Sequence, residues 1–224
     1  MSGAVLLAAA LGAPPAGGQQ SPRKPGTAAS APAAAAAKAP AASTNYAQRF
    51  ATQCAACHGA NGRNEPPLIP VLAGQPSLYA ITQLFLFREG RRGADTMAVI
   101  AKTLTDDDLR GFSDFIGTLP PVPAPPPVAP PDAARMEKGR ALAQQHKCLF
   151  CHGAELEGGQ QVPRIAGQHE DYLRMTLRGF QSGARPAYTQ AMPAAVSQIP
   201  VADLDTLAYY AARFSVAAPK AAGK

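Results

Sequence analysis

A Cys-x-x-Cys-His motif occurs twice in this chain of 224 residues, and both occurrences lie inside a longer repeat. Residues 54–62 read CAACHGANG, and residues 148–159 read CLFCHGAELEGG, displaced by 94 positions. LAGQ at 72–75 recurs as IAGQ at 165–168, displaced by 93. Further matches follow in the same order: Tyr79 with Tyr172, Phe87 with Phe180, Gly90 with Gly183, Arg92 with Arg185, and Met97 with Met192. A repeat of this kind predicts two copies of one small domain.

The segment between the copies is rich in proline, with eight prolines in the twelve residues 120–131. Such a segment adopts extended polyproline II structure and acts as a semi-rigid spacer. We therefore expect a first domain over residues 44–119, a linker over 120–132 and a second domain over 133–216. Residues 1–43 are expected to form a signal-like segment and a disordered Ala/Pro-rich tail, and residues 217–224 a frayed tail.

Within each copy the apolar pattern is helical, and no segment alternates as a strand does. Thr44 or Asn45 is an N-cap candidate for a helix leading to Cys54, and residues 136–143 lead to Cys148 in the same way. Residues 77–88 and 170–180 also carry apolar side chains at helical spacing. Each copy closes with an amphipathic helix, whose apolar rows are Leu109, Phe112, Ile116 and Leu119, and Leu204, Leu207, Ala211 and Phe214. The pattern predicts an all-α fold.

All four cysteines belong to the two motifs, which comprise Cys54, Cys57 and His58, and Cys148, Cys151 and His152. Cys-x-x-Cys-His is the attachment signature of c-type haem. Cysteines at i and i+3 share one side of a helical turn, so both can form thioethers along one porphyrin edge. The following His then reaches the iron, and its other ring nitrogen needs an acceptor, commonly a backbone carbonyl. We therefore predict two covalently bound haem c groups.

Two other kinds of site use the same residue types. A redox-active disulfide in each motif would belong in a thioredoxin-like βαβ fold, and the pattern indicates no strands. A zinc site would need four ligands, and zinc ribbons keep their two Cys-x-x-Cys pairs close together. Here each pair lies in its own repeat with its own His, which favours haem.

Methionine is the best candidate for the second axial ligand of each iron. Met97 follows His58 by 39 residues, and Met192 follows His152 by 40 residues. Met175 is a rival in the second copy, but it aligns with Thr82, and a packing role suits it better. The other histidines fit less well, since His146 lies two residues before Cys148 and His169 matches Pro76 in the first copy. His/Met ligation raises the reduction potential and leaves no open position on the iron, which favours electron transfer over catalysis.

The formal net charge is +6 and the sequence pI about 9.3. The arginines are scattered and are not interleaved with aromatic residues, so we expect no nucleic-acid partner. The four propionates of two haems would also bring the holo-protein much closer to neutral.

Residues 4–13, AVLLAAALGA, have the length of the apolar part of a signal peptide. No Lys or Arg precedes them, so either the true start lies upstream of this Met or the segment is part of an alanine-rich tail. We expect an export signal and a periplasmic location, because the haem chemistry needs an exported protein. No apolar run approaches the roughly 20 residues that span a bilayer, which leaves peripheral membrane association open.

These residues resemble the class I cytochromes c, and within them the dihaem cytochrome c4 type. In the first copy the resemblance rests on CAACHGANG, PVLAGQPSLYAITQLFLFREGRRG, Met97 and TDDDLRGFSDFI. In the second copy it rests on the matching segments CLFCHGAE and PRIAGQHEDYLRMTLRGFQSG, on Met192 and on VADLDTLAYYAARF. It covers about residues 44–119 and 134–215. The resemblance implies two tandem cytochrome c domains related by a pseudo-twofold axis, with the haem propionate edges close together. The proline-rich linker departs from the family pattern.

The resemblance also implies roles for two pairs of residues. Pro70 and Pro163 match the family proline whose carbonyl accepts a hydrogen bond from the proximal histidine. Arg92 and Arg185 match basic residues near the propionates, and the alternative for them is a solvated helix end.

Three functions are compatible with the sequence. The first is an electron carrier of a respiratory chain, between a quinol-oxidising complex and a terminal oxidase or other acceptor. The second is a dihaem cytochrome subunit of a dehydrogenase complex, built from the same carrier domains. The third is a dihaem enzyme of the peroxidase or thiosulfate dehydrogenase kind, which would need an open or unusual iron ligand. We expect an electron-transfer protein rather than an enzyme.

Overall fold

The computed structural model describes residues 45–93, 95–125 and 129–214. Within them the regular structure is helical apart from one isolated bridge between Gly159 and Val162. The first half contains α1 (Tyr46–Gln53), α2 (Ala55–His58), α3 (Ser77–Arg88), α4 (Asp95–Ala101) and α5 (Asp106–Thr118). The second half contains α6 (Ala133–Gln145), α7 (Cys148–His152), α8 (Glu170–Ser182), α9 (Ala191–Val196) and α10 (Val201–Arg213). The all-α prediction is confirmed.

Local signals start the helices where the sequence suggests. Asn45, one of the two N-cap candidates, accepts a hydrogen bond from the Gln48 N–H at 3.1 Å. At the start of α5, Thr105 and Asp108 form a reciprocal capping box: each side chain accepts from the backbone N–H of the other residue, at 3.1 and 3.0 Å. These caps fix the entry of the first and last helices of the first half.

In the first half α5 packs against α1 and α3. The rings of Tyr46 and Phe112 meet edge to face with centroids 5.1 Å apart, and Phe50 is fully buried beside them. Gly111 makes this crossing possible, because a Cβ there would lie 2.0 Å from the Tyr46 ring. The first and last helices of this half therefore pack closely against each other.

In the second half α10 packs against α6 and α8. Here Gly139 of α6 faces Tyr210 of α10, and a Cβ on the glycine would come within 2.4 Å of the tyrosine side chain. Leu204 is fully buried in this larger core. Both halves therefore join their first and last helices through a glycine facing a tyrosine, but the glycine lies on the last helix in one half and on the first helix in the other.

Part of the proline-rich spacer lies against both halves. The Ala124 N–H donates to the Gly167 carbonyl at 2.6 Å. A Cβ on Gly74 would lie 2.9 Å from Pro121, and a Cβ on Gly167 would lie 2.8 Å from Pro123. The expectation of a segment that only separates the halves is therefore incomplete, because its described part is docked on the glycines of LAGQ and IAGQ.

The expected tails, residues 1–43 and 217–224, lie outside the described residues. Among the helices of the described ranges, none is both long enough and apolar enough to cross a bilayer.

Candidate haem-binding sites and the contact between the halves

The first Cys-x-x-Cys-His motif lies where α1 ends and α2 begins. Cys54 caps α1, its N–H donating to the Phe50 carbonyl at 2.9 Å, and Cys57 is exposed one turn later. Gly59 ends α2 with φ of 77°, and a Cβ there would lie 1.7 Å from the Arg63 carbonyl oxygen. The glycine therefore lets the chain turn sharply away directly after His58.

His58 is buried and its ring is oriented by a backbone carbonyl. Its Nδ1 lies 3.0 Å from the Pro70 oxygen, so Nδ1 carries the proton and Nε2 is the nitrogen available to a metal. Burial lowers the pKa of His58, while the hydrogen bond to Pro70 opposes this shift. The ring is thus neutral near pH 7, the form that binds iron.

The second half repeats this arrangement. α7 begins after Lys147, which has a left-handed φ of 56°, and contains Cys148, Cys151 and His152. The Nδ1 of His152 lies 3.0 Å from the Pro163 oxygen, the same distance as in the first half. Burial likewise lowers the pKa of His152. The two motifs therefore present equivalent histidines, each with Nε2 free of the carbonyl contact.

The cysteine environments suit thioether attachment better than the alternatives. No disulfide joins any two of the four cysteines. Burial raises the pKa of Cys54 to about 11 and raises that of Cys148, whereas reactive redox thiols have lowered values. No group of three His, Cys, Asp or Glu side chains in the described ranges is arranged to hold a metal ion, as a zinc site would require. The donor set of each half, two thiols and one oriented imidazole, fits a c-type haem.

The two methionine candidates occupy equivalent short helices. Met97 lies in α4, which packs on α3, and Met192 lies in α9, which packs on α8. Both side chains are half-buried. Their rival Met175 lies on α8 and is 48% exposed, so the packing role expected for it is not seen. Met97 and Met192 thus stay the predicted ligands.

The two other histidines, His146 and His169, lie outside the Cys-x-x-Cys-His motifs. His146 ends α6 and is half-buried. His169 is buried where the two halves meet, and its Nε2 lies 2.7 Å from Asn64 of the first half.

The two matched arginines lie between the halves, close to two matched tyrosines. Arg92 is only 7% exposed and donates to the Tyr172 hydroxyl at 2.8 Å, which excludes a solvated helix end for it. Arg185 donates to the same hydroxyl at 3.4 Å and to the Thr176 hydroxyl at 3.0 Å. Burial alone raises the pKa of Tyr172, but the charges of the two arginines lower it to about 8. The arginines therefore contribute to the contact between the halves.

A pair of matched glutamines forms a second contact with twofold character. Gln75 donates to the Arg164 carbonyl at 2.8 Å, and Gln168 donates to the Val71 carbonyl at 2.9 Å. Val71 matches Arg164 in the repeat, so these two bonds are equivalent. The symmetry is incomplete, because the Gln168 oxygen also accepts from the Val71 N–H at 2.8 Å, whereas the Gln75 oxygen is buried with no hydrogen-bond partner among the described residues.

The sequence alone indicates no interface role for these residues. Gln75 and Gln168 were visible only as letters of LAGQ and IAGQ, and Tyr172 only as a match to Tyr79. The sequence does show that these Gln and Tyr residues recur at the same displacement in both copies, although they are not part of the haem motif. Asn64 and His169 carry no such signal, since His169 has Pro76 at its matched position.

Comparisons with known proteins agree with this geometry. A family model described as "Cytochrome c" matches the chain twice, over residues 44–120 and 136–210. The cytochrome c4 of Thiocapsa roseopersicina is 34% identical over 137 residues, covering 59% of this chain and 71% of that relative. A protein of Thiomonas intermedia named thiosulfate dehydrogenase electron acceptor is 31% identical over 144 residues, covering 60% of this chain and 65% of that relative.

A solved structure agrees as well. The chain is similar to the cytochrome c4 of Acidithiobacillus ferrooxidans, with a TM-score of 0.60 and 25% identity over 72% of this chain and 98% of that one. Both matches of the family model contain one Cys-x-x-Cys-His motif, and the histidine of each motif faces a proline carbonyl. The chain therefore belongs to the cytochrome c family, as an electron-transfer protein of the dihaem cytochrome c4 type with two tandem domains and two covalent haem c groups.

Proposed function

We propose that this dihaem cytochrome carries single electrons through a periplasmic respiratory chain, from a quinol-oxidising complex to a terminal oxidase or other acceptor. The observation that carries the proposal is the repeated histidine arrangement, with Nδ1 of His58 and of His152 each 3.0 Å from a proline carbonyl. Each bound haem supplies an iron that alternates between the ferrous and ferric states. The protein holds and orients that iron, and no bond chemistry is needed.

Specific residues take specific roles in this proposal. The thiols of Cys54 and Cys57, and of Cys148 and Cys151, would form the thioether links. His58 and Met97 would ligate one iron, and His152 and Met192 the other. Pro70 and Pro163 fix the histidine rings through their carbonyls. A histidine and a methionine held for each iron would leave no position open to peroxide, which favours electron transfer.

The contact between the halves suits transfer from one haem to the other. We propose domains over residues 44–119 and 133–216, joined by the linker 120–132. The bonds of Gln75 to Arg164 and of Gln168 to Val71 hold the halves in one arrangement. Arg92 and Arg185 lie at this contact, where their charges would also stabilise haem propionates.

The proposed location is the periplasm, with peripheral association at the membrane. Support comes from the two haem-attachment motifs and from residues 4–13, which have the length of a signal-peptide core. A protein found in the cytoplasmic fraction and without attached haem would contradict this part of the proposal.

A second function has its own support. Two relatives, from Thiomonas intermedia and from Stutzerimonas stutzeri, are named thiosulfate dehydrogenase electron acceptors. The alternative is therefore that this chain accepts electrons from a dehydrogenase, as a partner or subunit. The same two haem domains would serve in both roles.

Anaerobic stopped-flow spectroscopy separates the two functions. The oxidised protein is mixed in one arm with a quinol-oxidising complex and quinol, and in another with thiosulfate dehydrogenase and thiosulfate. The main proposal expects rapid reduction of both haems in the first arm and subsequent oxidation by a terminal oxidase. Rapid reduction only in the dehydrogenase arm would replace the main proposal by the alternative, and reduction in neither arm would contradict both.

A further inference from the structure

His169, a buried histidine of the second half, contacts the buried Asn64 of the first half. The Nε2 of His169 lies 2.7 Å from the Oδ1 of Asn64, across 105 positions of sequence. His169 is 8% exposed and Asn64 is 7% exposed. Each partner of such a buried pair needs its hydrogen bond, because leaving one of them unpaired costs about 1–3 kcal/mol of stability.

The other end of the Asn64 side chain points to the carbonyls beside the proximal histidine. Its Nδ2 donates to the Ile69 oxygen at 3.1 Å and lies 3.5 Å from the Pro70 oxygen. The Pro70 oxygen is also the acceptor for Nδ1 of His58. A continuous chain of contacts therefore runs from His169 through Asn64 to the carbonyl that orients His58.

The contacts define the protonation of His169. Because the Asn64 amide nitrogen faces two carbonyls, its oxygen faces His169 and must accept, so His169 carries its proton on Nε2. The charged residues around the ring are Glu65, Arg63 and Asp171. Burial lowers the pKa of His169, so the ring is neutral near pH 7.

The described part of the second half shows no equivalent of this link. The position that matches His169 is Pro76, which has no side-chain donor. In the described residues the Pro163 carbonyl accepts from His152 alone. The contact from the other half therefore reaches the carbonyl beside His58 and, in the part of the chain that the structure describes, has no counterpart at the carbonyl beside His152.

We propose that His169 is a positioning residue that, through Asn64, holds the Pro70 carbonyl against His58 and so makes the first haem depend on the second domain. The inference rests on the proposed role of His58 as an iron ligand. A firm hydrogen bond at Nδ1 makes the imidazole a stronger donor to iron, which stabilises the ferric state. Releasing Asn64 loosens that bond, so the reduction potential of the first haem rises.

The test uses the full-length holo-protein and three variants. His169→Leu removes the donor to Asn64, and His169→Gln restores a donor through its amide. His146→Leu is the control, since it removes a histidine from the same half that has no contact with Asn64. NMR of the ferrous protein measures exchange of the Nδ1 protons of His58 and His152, and a redox titration measures both potentials.

In His169→Leu we expect the His58 Nδ1 proton to exchange roughly fivefold faster, as for loss of one hydrogen bond. The first-haem potential should rise, and His152 and its haem should be unchanged. His169→Gln and His146→Leu should both behave as wild type at His58. An unchanged His58, or equal changes in both halves, would overturn the proposal.

Two wild-type observations keep the test decisive if His169→Leu yields no holo-protein. Long-range proton–nitrogen NMR should show His169 protonated on Nε2, and the Nδ1-protonated tautomer would overturn the proposal. The His58 ring protons should be shifted strongly upfield by the porphyrin ring current. Absence of that shift would refute His58 as a ligand, a separate failure from that of the His169 link.

Discussion

The guanidinium of Arg92, in the first half, donates to the hydroxyl of Tyr172, in the second, at 2.8 Å. The same side chain donates to Gln83 at 2.5 Å and lies 4.3 Å from the centroid of the Phe87 ring. A buried guanidinium needs all of these partners to offset its desolvation. The pair therefore makes each half contribute to the stability of the other.

Replacing Arg92 should destabilise the protein through this contact. We expect Arg92→Gln to lower the free energy of unfolding by about 2–3 kcal/mol, because a charge-assisted bond and a stacking contact are lost. A double-mutant cycle with Tyr172→Phe should show coupling of about 1–2 kcal/mol by denaturant unfolding of the holo-protein. The exposed neighbour Arg91 is the control, and Arg91→Gln should change stability by less than about 0.5 kcal/mol. Additive effects of Arg92→Gln and Tyr172→Phe would contradict the contact.

The matched glutamines should differ in importance. Gln168→Leu removes both partners of the Val71 backbone, so it should cost about 2–3 kcal/mol. Gln75→Leu loses one bond but also removes a buried oxygen without a partner, so it should cost less than about 1 kcal/mol. Denaturant unfolding of the two holo-variants measures the difference. Equal costs would mean that the twofold contact is symmetric in solution.

Acid stability of the first half should depend on Asp108. A hydrogen bond from Arg49, aided by the Thr105 cap, lowers the pKa of Asp108 from 3.8 to about 2 although burial opposes the shift. Its stabilisation is therefore complete above about pH 4 and is lost as the pH falls from about 4 to about 2. Since the side chain is 13% exposed, Asp108→Asn should remove roughly 2 kcal/mol at pH 7 and flatten that acid limb.

The equivalent position in the second half provides the control for this prediction. Asp203 pairs with Lys138 at 2.6 Å, but the lysine side chain is 57% exposed, and such surface pairs contribute little. Asp203→Asn should therefore change the unfolding free energy by less than about 1 kcal/mol. A larger loss with Asp203→Asn than with Asp108→Asn would refute the assignment.

Each methionine should serve one haem only. Met97→Leu and Met192→Leu should each abolish the weak red ferric band of one haem and lower the potential of that haem, because the thioether ligand favours the ferrous state. Spectroelectrochemical titration resolves the two haems. Met175→Leu is the control and should leave both bands intact. Loss of a band in Met175→Leu, with Met192→Leu unaffected, would exchange the two candidates.

Local signals made much of the fold predictable from the sequence. The span 77–88 was predicted as a helix and is α3, Ser77–Arg88, since Pro76 precedes it and Gly90 follows it. Residues 170–180 were also predicted correctly, although α8 continues to Ser182 before Gly183 ends it. These features depend on neighbours in sequence, which is why periodicity and turn residues sufficed.

The contact between the halves was much less predictable. The bond from Gln168 to Val71 spans 97 positions, and a glutamine in a loop carries no sign of its partner. The docking of Pro121 on Gly74 and of Pro123 on Gly167 is likewise a tertiary effect, which composition alone described as a spacer. The cysteine and histidine positions were accessible because covalent attachment demands a fixed local spacing, whereas interface hydrogen bonds do not.

The most direct measurement of the central claim is a pyridine haemochrome assay combined with a redox titration, on protein purified from a host that exports it and attaches haem. The account predicts two c-type haems per chain, each taking up one electron, with visible spectra of six-coordinate iron. A colourless but helical and compact protein, or one haem per chain, would contradict it.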